Sequence, residues 1–452
     1  MKIRNIFKLA SLTIASLFFE AQAQDFDTWF HDETLRIDYL LSGNSQQQHI
    51  SVKQLSRQAC WAGRRQRLSE IALRGNGQLI VCDHASGDTL YCHTFSTLFQ
   101  EWLLEPEAKQ VSRSFEAAYL IPFPRQAIDI SLSLTDNHGR PTTTLTHTVD
   151  PQDILIRKLK DPGYEVRSLT PWSDTLPLSQ RIDLAIVAEG YTAEEMPKFW
   201  NDSQRAVEAL FEREPFASLR ERFHVLAVAA TSADSGPSEP GKGIWNATAA
   251  GTHFDTFYSE RYLTTNQMHH LHDLLAGVPY EHIIVMANTA RYGGGGIYNQ
   301  VTITTSDHPT FKQVLVHEFG HAYGGLGDEY AYGTQDETPY PADIEPWEPN
   351  LTTLHDFHSK WADMLPEGTE IPTPLDPSIP HYRSVSVDDP QGMATLQRAV
   401  ERIGVFEGAG YMTSGCYRPA QLCRMQVNEV LDFCPVCQRA LRQITDYYTK
   451  PY

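Results

Sequence analysis

The chain has 452 residues, which at about 150 per domain allows two or three domains. Its 41% hydrophobic and 21% charged content is that of a folded protein and excludes an extended disordered one. With 37 Lys and Arg against 56 Asp and Glu the formal charge is -19, and no cluster of basic residues stands out, which argues against nucleic acid as a partner.

In chain order, residues 1–23 read as a secretory signal. Lys2, Arg4 and Lys8 precede an apolar run over 9–19, and Ala21-Gln22-Ala23 offers a small-x-small cleavage site. The run is too short to span a bilayer, and no later segment is long and apolar enough. The expectation is an exported protein, periplasmic or extracellular. Cleavage removes three basic residues and Glu20, leaving 34 basic against 55 acidic side chains, a charge of -21.

Residues 24–160 read as a β-sandwich domain. Leu35-Arg36-Ile37-Asp38-Tyr39-Leu40 alternates, as does the run over 128–134, which ends in the turn signal Asp136-Asn137-His138-Gly139. Residues 78–91 form a hairpin around Ala85-Ser86-Gly87-Asp88, and Cys82 and Cys92 could pair across it. Residues 161–180 read as a Pro-containing linker. From 181 to 452 the texture is α/β, so the overall class is α+β. Strands are expected at 182–188, 223–230, 282–287 and 301–304. Helices are expected at 193–214, with Thr192 and Glu195 as a capping box, at 264–275, and from 309 past His321. Residues 338–390 are Pro-rich and aperiodic and read as an insertion ordered by packing on the domain.

Val316-His317-Glu318-Phe319-Gly320-His321 fits H-E-x-x-H. Four residues apart on a helix, His317 and His321 share a face and can both reach one Zn²⁺ at about 2.1 Å. Glu318, one position along, can take a proton from an attacking water without ligating the metal. The apolar run before the motif, the Gly324-Gly325 stop after it and the acids of Gly327-Asp328-Glu329-Tyr330 favour a catalytic site over a buried histidine pair.

With Gly324 added, this motif is similar to that of the metzincin zinc proteases. The fuller run H-E-F-G-H-A-Y-G-G-L-G-D-E-Y resembles the IgA-peptidase-like metallopeptidases. So do the segment over 26–39, Trp61-Ala62-Gly63, Phe99-Gln100-Glu101-Trp102, Glu407-Gly408-Ala409-Gly410-Tyr411, Tyr417-Arg418-Pro419 and Phe433-Cys434-Pro435-Val436-Cys437, so the likeness covers nearly all of the mature chain.

The resemblance implies one catalytic zinc ion, but the position ten residues after the first His is Gly327, which has no side-chain ligand. Asp328 is the favoured third ligand, with Glu329 as the other candidate or as a group orienting a ligand. Met425, within Cys423-Arg424-Met425, is preferred to Met412 for the family's Met-containing turn. Tyr411 or Tyr417 could donate to the tetrahedral oxyanion. The run Gly293-Gly294-Gly295-Gly296 matches the edge strand above a metzincin cleft, where a substrate could add as a strand, or else a flexible hairpin tip. Cys416, Cys423, Cys434 and Cys437 could hold a structural zinc, although export favours disulfides, with Cys60 left over.

The reading is a secreted zinc endopeptidase acting on a polypeptide, with Glu318 as general base and His317, His321 and Asp328 on the metal. A zinc hydrolase of a non-protein or cell-wall amide, and a protein- or glycan-binding module with vestigial catalysis, are the alternatives. The N-terminal domain could itself bind protein or glycan.

Overall fold

The computed structural model describes residues 26–332, 339–386 and 388–450. The expected signal segment lies outside them. No helix among the described residues is long and apolar enough to cross a membrane.

The N-terminal half holds β1 (Phe30–Gly43), β2 (Gln48–Ala59), β3 (Gly77–Asp83), β4 (Thr89–Phe95), α1 (Leu98–Trp102), β5 (Arg113–Pro124), β6 (Ile128–Thr135), β7 (Pro141–Val149) and β8 (Arg157–Lys158). They form two four-stranded sheets, ordered β5-β1-β2-β8 and β4-β3-β6-β7. Both contribute to one buried cluster, Leu35, Ile37, Tyr39 and Leu41 from the first and Leu79, Val81, Ile130 and Leu132 from the second. Aromatic contacts join them: Phe95 and Tyr119 lie 4.2 Å apart between ring centroids, and the Tyr39 hydroxyl bonds His147 Nε2 at 2.7 Å.

The expected alternation holds along β6, whose residues are in turn buried and half-buried. In β1 it does not expose the second face. Arg36 is 1% and Asp38 5% exposed. Arg36 binds Asp38 at 2.7 Å, then crosses to Asp273 Oδ1 and the His269 carbonyl of the C-terminal half, each at 2.7 Å. The far face of β1 is therefore covered by the C-terminal half. The alternating polar residues are buried because they are paired.

The hairpin of β3 and β4 forms, but in its register Cys92 faces Ile80 and Cys82 faces Thr89. All seven Cys are free thiols, so the expected Cys82–Cys92 bridge and the C-terminal disulfides are absent, and Cys60 is no longer the odd one out.

The C-terminal half is built on a six-stranded sheet. Its members are β9 (Val166–Ser168), β10 (Ile182–Glu189), β11 (Phe223–Val228), β12 (His282–Ala287), β13 (Gly294–Ile297) and β14 (Val301–Thr305), in the order β13-β14-β12-β10-β11-β9. The four central strands are parallel and both edges are antiparallel. β10, β11 and β12 are buried throughout, as strands covered on both faces must be. β9 falls inside the stretch read as linker, so that stretch adds an edge to the C-terminal sheet.

The helices are α2 (Met196–Phe211), α3 (Met268–Leu274), α4 (Phe311–Gly324), α5 (Pro390–Glu401) and α6 (Pro435–Thr449). The Glu195 carboxylate accepts from the Thr192 amide at 2.9 Å, ahead of α2. α3 begins later than expected, because the β-branched pair Thr264 and Thr265 is spent bridging Thr252 and His253. The hairpin of β15 (Ile403–Ala409) and β16 (Met412–Ala420), and α6 after it, were not predicted from sequence. Within 339–386 there is no long element among the described residues. Its buried Trp361 joins the main cluster of the C-terminal half, and Asn350 and Leu351 are fully buried.

Candidate active site

α4 carries the motif. Its face toward the core is Phe311, Val314, Leu315 and Phe319, all at most 3% exposed, which fixes the rotation of the helix. The helix ends at Gly325, whose φ of +59° is a left-handed C-cap that favours glycine. That reversal brings Asp328 back over the helix.

His317 Nε2 and His321 Nε2 are 3.1 Å apart, and Asp328 Oδ1 is 3.1 Å from the first and 3.2 Å from the second. Each imidazole binds a backbone carbonyl through Nδ1, His317 that of Arg424 at 3.0 Å and His321 that of Leu326. A carbonyl only accepts, so each Nδ1 carries a proton, which leaves Nε2, turned inward, as the nitrogen able to ligate a metal once its ring is neutral. Asp328 Oδ1 is buried and has no hydrogen-bond donor. Three acceptors thus face one point. Two imidazole nitrogens at the tetrahedral angle on a zinc ion, at about 2.1 Å each, stand about 3.4 Å apart, so the triangle fits such an ion. The same three residues form a group able to hold a metal. Glu329, the competing candidate, points away and contacts Cys437 Sγ at 3.1 Å.

In the metal-free chain burial works against charge on Asp328, but the two histidines hold its carboxyl well below the usual range. Burial likewise opposes the His321 imidazolium, yet Asp328 raises it to about 9. Burial pushes the Glu318 carboxyl up.

Two small residues let the site close. A Cβ at Gly320 would stand 2.9 Å from Met425 Sδ, and one at Gly296 would stand 2.3 Å from the Glu318 carbonyl and 2.9 Å from His321 Cβ. Met425, fully buried, therefore lies directly beneath the turn between the two histidines, and its carbonyl accepts from the Glu329 amide at 2.9 Å. Met412 sits on the β15–β16 hairpin and is only partly buried. The glycine run forms edge strand β13. At Gly294 its outer edge is already taken, since Gly294 donates to the Arg261 carbonyl and accepts from the Leu263 amide, both at 3.3 Å.

The tyrosines divide. The Tyr411 hydroxyl donates to Asp328 Oδ2, so its proton is committed to the carboxylate and not to an oxyanion. Tyr417 pairs with Thr352 and Glu407 along the hairpin, and its described contacts include no site residue. Of the two tyrosines that could serve an oxyanion, Tyr411 thus lies at the site on Asp328 and Tyr417 lies along the hairpin. Other residues do border the site. Tyr330 stacks on His317 at 6.5 Å with the rings 10° from parallel. Arg261 hydrogen-bonds the hydroxyl of Tyr332, a residue 45% exposed at the rim. From the N-terminal half, Glu101 accepts from Tyr262, and burial pushes its carboxyl up to about 7. Tyr262 in turn packs on Gly295, 3.0 Å from where a Cβ would be. Sequence reasoning missed these. Tyr330 directly follows the acids of the motif, and Glu101 lies in a segment that carried the resemblance.

A family model described as IgA Peptidase M64 matches residues 171–385 and 387–445, and one described as Peptidase M64 N-terminus matches residues 25–146. No curated protein matches the chain.

Proposed function

The chain belongs to the IgA peptidase M64 family and is a metallopeptidase that hydrolyses peptide bonds, and from that premise we propose that it is a secreted zinc endopeptidase in which Glu318 is the general base. The observation that carries the reading is the convergence of His317 Nε2 and His321 Nε2, both half-buried, with the buried Asp328 Oδ1 on one point.

Those three would hold the ion, and zinc suits two imidazoles with one carboxylate oxygen. When bound, it supplies Lewis acidity, acidifying a water and polarising the scissile carbonyl. The Glu318 carboxylate lies beside β13, its Oε1 3.0 Å from the Cβ position of Gly294. It takes the proton of the attacking water and passes it to the leaving amine nitrogen, a task for which a raised carboxyl pKa is suited. Tyr411 keeps Asp328 oriented. Arg261 and the exposed tyrosines at the rim, Tyr332 and Tyr292, are the groups able to meet the substrate.

The buried Met425 under α4, the antiparallel edge strand and the helix motif together support a metzincin-like catalytic domain over 181–452. The two N-terminal sheets support a β-sandwich. A substrate strand laid along Gly293, Gly294, Gly295 and Gly296 would have to replace the pairing that Arg261 and Leu263 make at Gly294. The family label alone does not make immunoglobulin A the substrate, because specificity lies in the pockets.

Digestion of a mixed protein substrate with and without a chelator tests the reading. Chelation should abolish cleavage, and Glu318→Gln should lower kcat/KM by about 10²–10⁴ while the protein retains its metal. Chelator-insensitive cleavage, or full activity in Glu318→Gln, would overturn it.

A further inference from the structure

Behind α4, away from the cleft, Cys423, Cys434, Cys437 and Glu329 converge, each with a ligand atom within 4.8 Å of all the others. All four residues are 0% exposed. Cys423 Sγ and Cys437 Sγ are 3.8 Å apart, and Cys437 Sγ is 3.1 Å from Glu329 Oε1. We propose that these three thiolates and one carboxylate hold a second, structural metal ion, zinc by the chemistry of its ligands.

The spacing separates this from a disulfide. A disulfide needs about 2.05 Å between sulfurs. Two thiolates on one tetrahedral zinc, at about 2.3 Å each, stand about 3.8 Å apart, as Cys423 and Cys437 do. A bridge between any two would also strand the third thiol beside a buried carboxylate. The donor set includes an atom with unused capacity: Glu329 Oε1 accepts from Asn350 Nδ2 at 2.8 Å, while Oε2 is buried with no partner. A buried carboxylate oxygen lacking a partner is costly unless a cation or a proton meets it. Charge is balanced nearby by Arg418 and Arg424, 7% and 4% exposed. Cys434 stands at the N-cap of α6, where the helix end favours a thiolate. Cys416, grouped with the other three by sequence, instead packs with Leu351 and Ala409, and Glu329 takes the fourth place.

The site would tie together three separate stretches that orient the catalytic ligands. Glu329 adjoins Asp328. Arg424, between Cys423 and Met425, supplies the carbonyl that holds His317 Nδ1 at 3.0 Å. Asn350, which holds Glu329, also accepts from the Gly327 amide at 2.8 Å and donates to its carbonyl at 2.9 Å. The ion would act as a staple under the active site.

The test is metal content and cobalt spectroscopy on the full chain. His321→Ala should retain one zinc ion per chain, and its cobalt-exchanged form should show a thiolate-to-cobalt charge-transfer absorption. The His317, His321 and Asp328 site contains no sulfur, so that band can come only from a thiolate site. It should vanish in the His321→Ala, Cys434→Ser double variant and persist in His321→Ala, Cys416→Ser. The first spectrum decides even where the cysteine variant fails to fold. A metal-free His321→Ala protein, a cobalt form without the band, or a disulfide among the three cysteines by intact mass would overturn the proposal. None of these readouts depends on peptide hydrolysis, so failure here is distinct from failure of the peptidase reading.

Discussion

At the scale of single residues, protonation and hydrogen bonding assign the roles. The carbonyls of Arg424 and Leu326 fix which nitrogen of each histidine is bare, and Tyr411 fixes the rotation of Asp328. Tyr411→Phe should therefore weaken binding of the catalytic metal by about 10–100-fold in chelator competition, with kcat unchanged at saturating metal. A fall in kcat at saturating metal would put that hydroxyl on the substrate instead. His317, Glu318 and His321 were legible from spacing alone, because a helix makes four residues one face. Sequence favoured Asp328 and kept Glu329 as the other candidate, and the path of the chain after Gly325 separates the two. One of two adjacent acids, Asp328, meets the histidines, and the other, Glu329, meets the cysteines.

At the scale of elements, the packing of α4 against β13 sets the cleft. Gly296 has no room for a Cβ, since the Glu318 carbonyl would lie 2.3 Å away and backbone cannot rotate aside. Gly296→Ala should cost about 1–3 kcal/mol of stability, read from denaturant midpoints, and should reduce activity by shifting α4. Gly163→Ala, at an exposed turn where a Cβ would meet nothing within 4 Å, is the comparison. Its positive φ confines its cost to backbone strain, and it should leave activity untouched. Strands β10, β11 and β12 were predictable as short apolar runs. The start of α3 was not, because Thr264 and Thr265 are claimed by a distant pairing that outweighs local helix signals. The hairpin of β15 and β16 escaped for a similar reason, its register being interrupted by irregular pairing.

At the scale of the whole molecule, the two halves meet over a polar interface as well as an apolar one. Arg36 reaches Asp273, Glu101 reaches Tyr262, and Asn299 Nδ2 donates to the Thr94 carbonyl at 2.7 Å. His93 and His282 face this interface from opposite halves, and burial lowers each to about 3. In the unfolded chain both take up protons near pH 6.5, while in the folded chain they resist until about pH 3. The stability they allow is present above pH 6.5 and is lost as pH falls toward 3. Acid should therefore destabilise the protein over that window, and the pH profile of the melting temperature should flatten in a His93→Gln, His282→Gln double variant. An unchanged profile would show that neither histidine stays neutral.

The sequence by itself determined the class of the chain, the helix motif and the family resemblance, because each depends on residue type and short-range spacing. It also marked the cysteine cluster as either disulfides or a metal site. Only the tertiary structure decided that Glu329 turns to the cysteines, that Tyr411 serves Asp328, that the polar residues of β1 lie at an interface, and that Cys416 stands apart from the other three cysteines. The physical reason is common to all four: a side chain's partner is set by long-range closure of the chain, and residues about a hundred positions apart, such as His317 and Arg424, meet only after the core has packed.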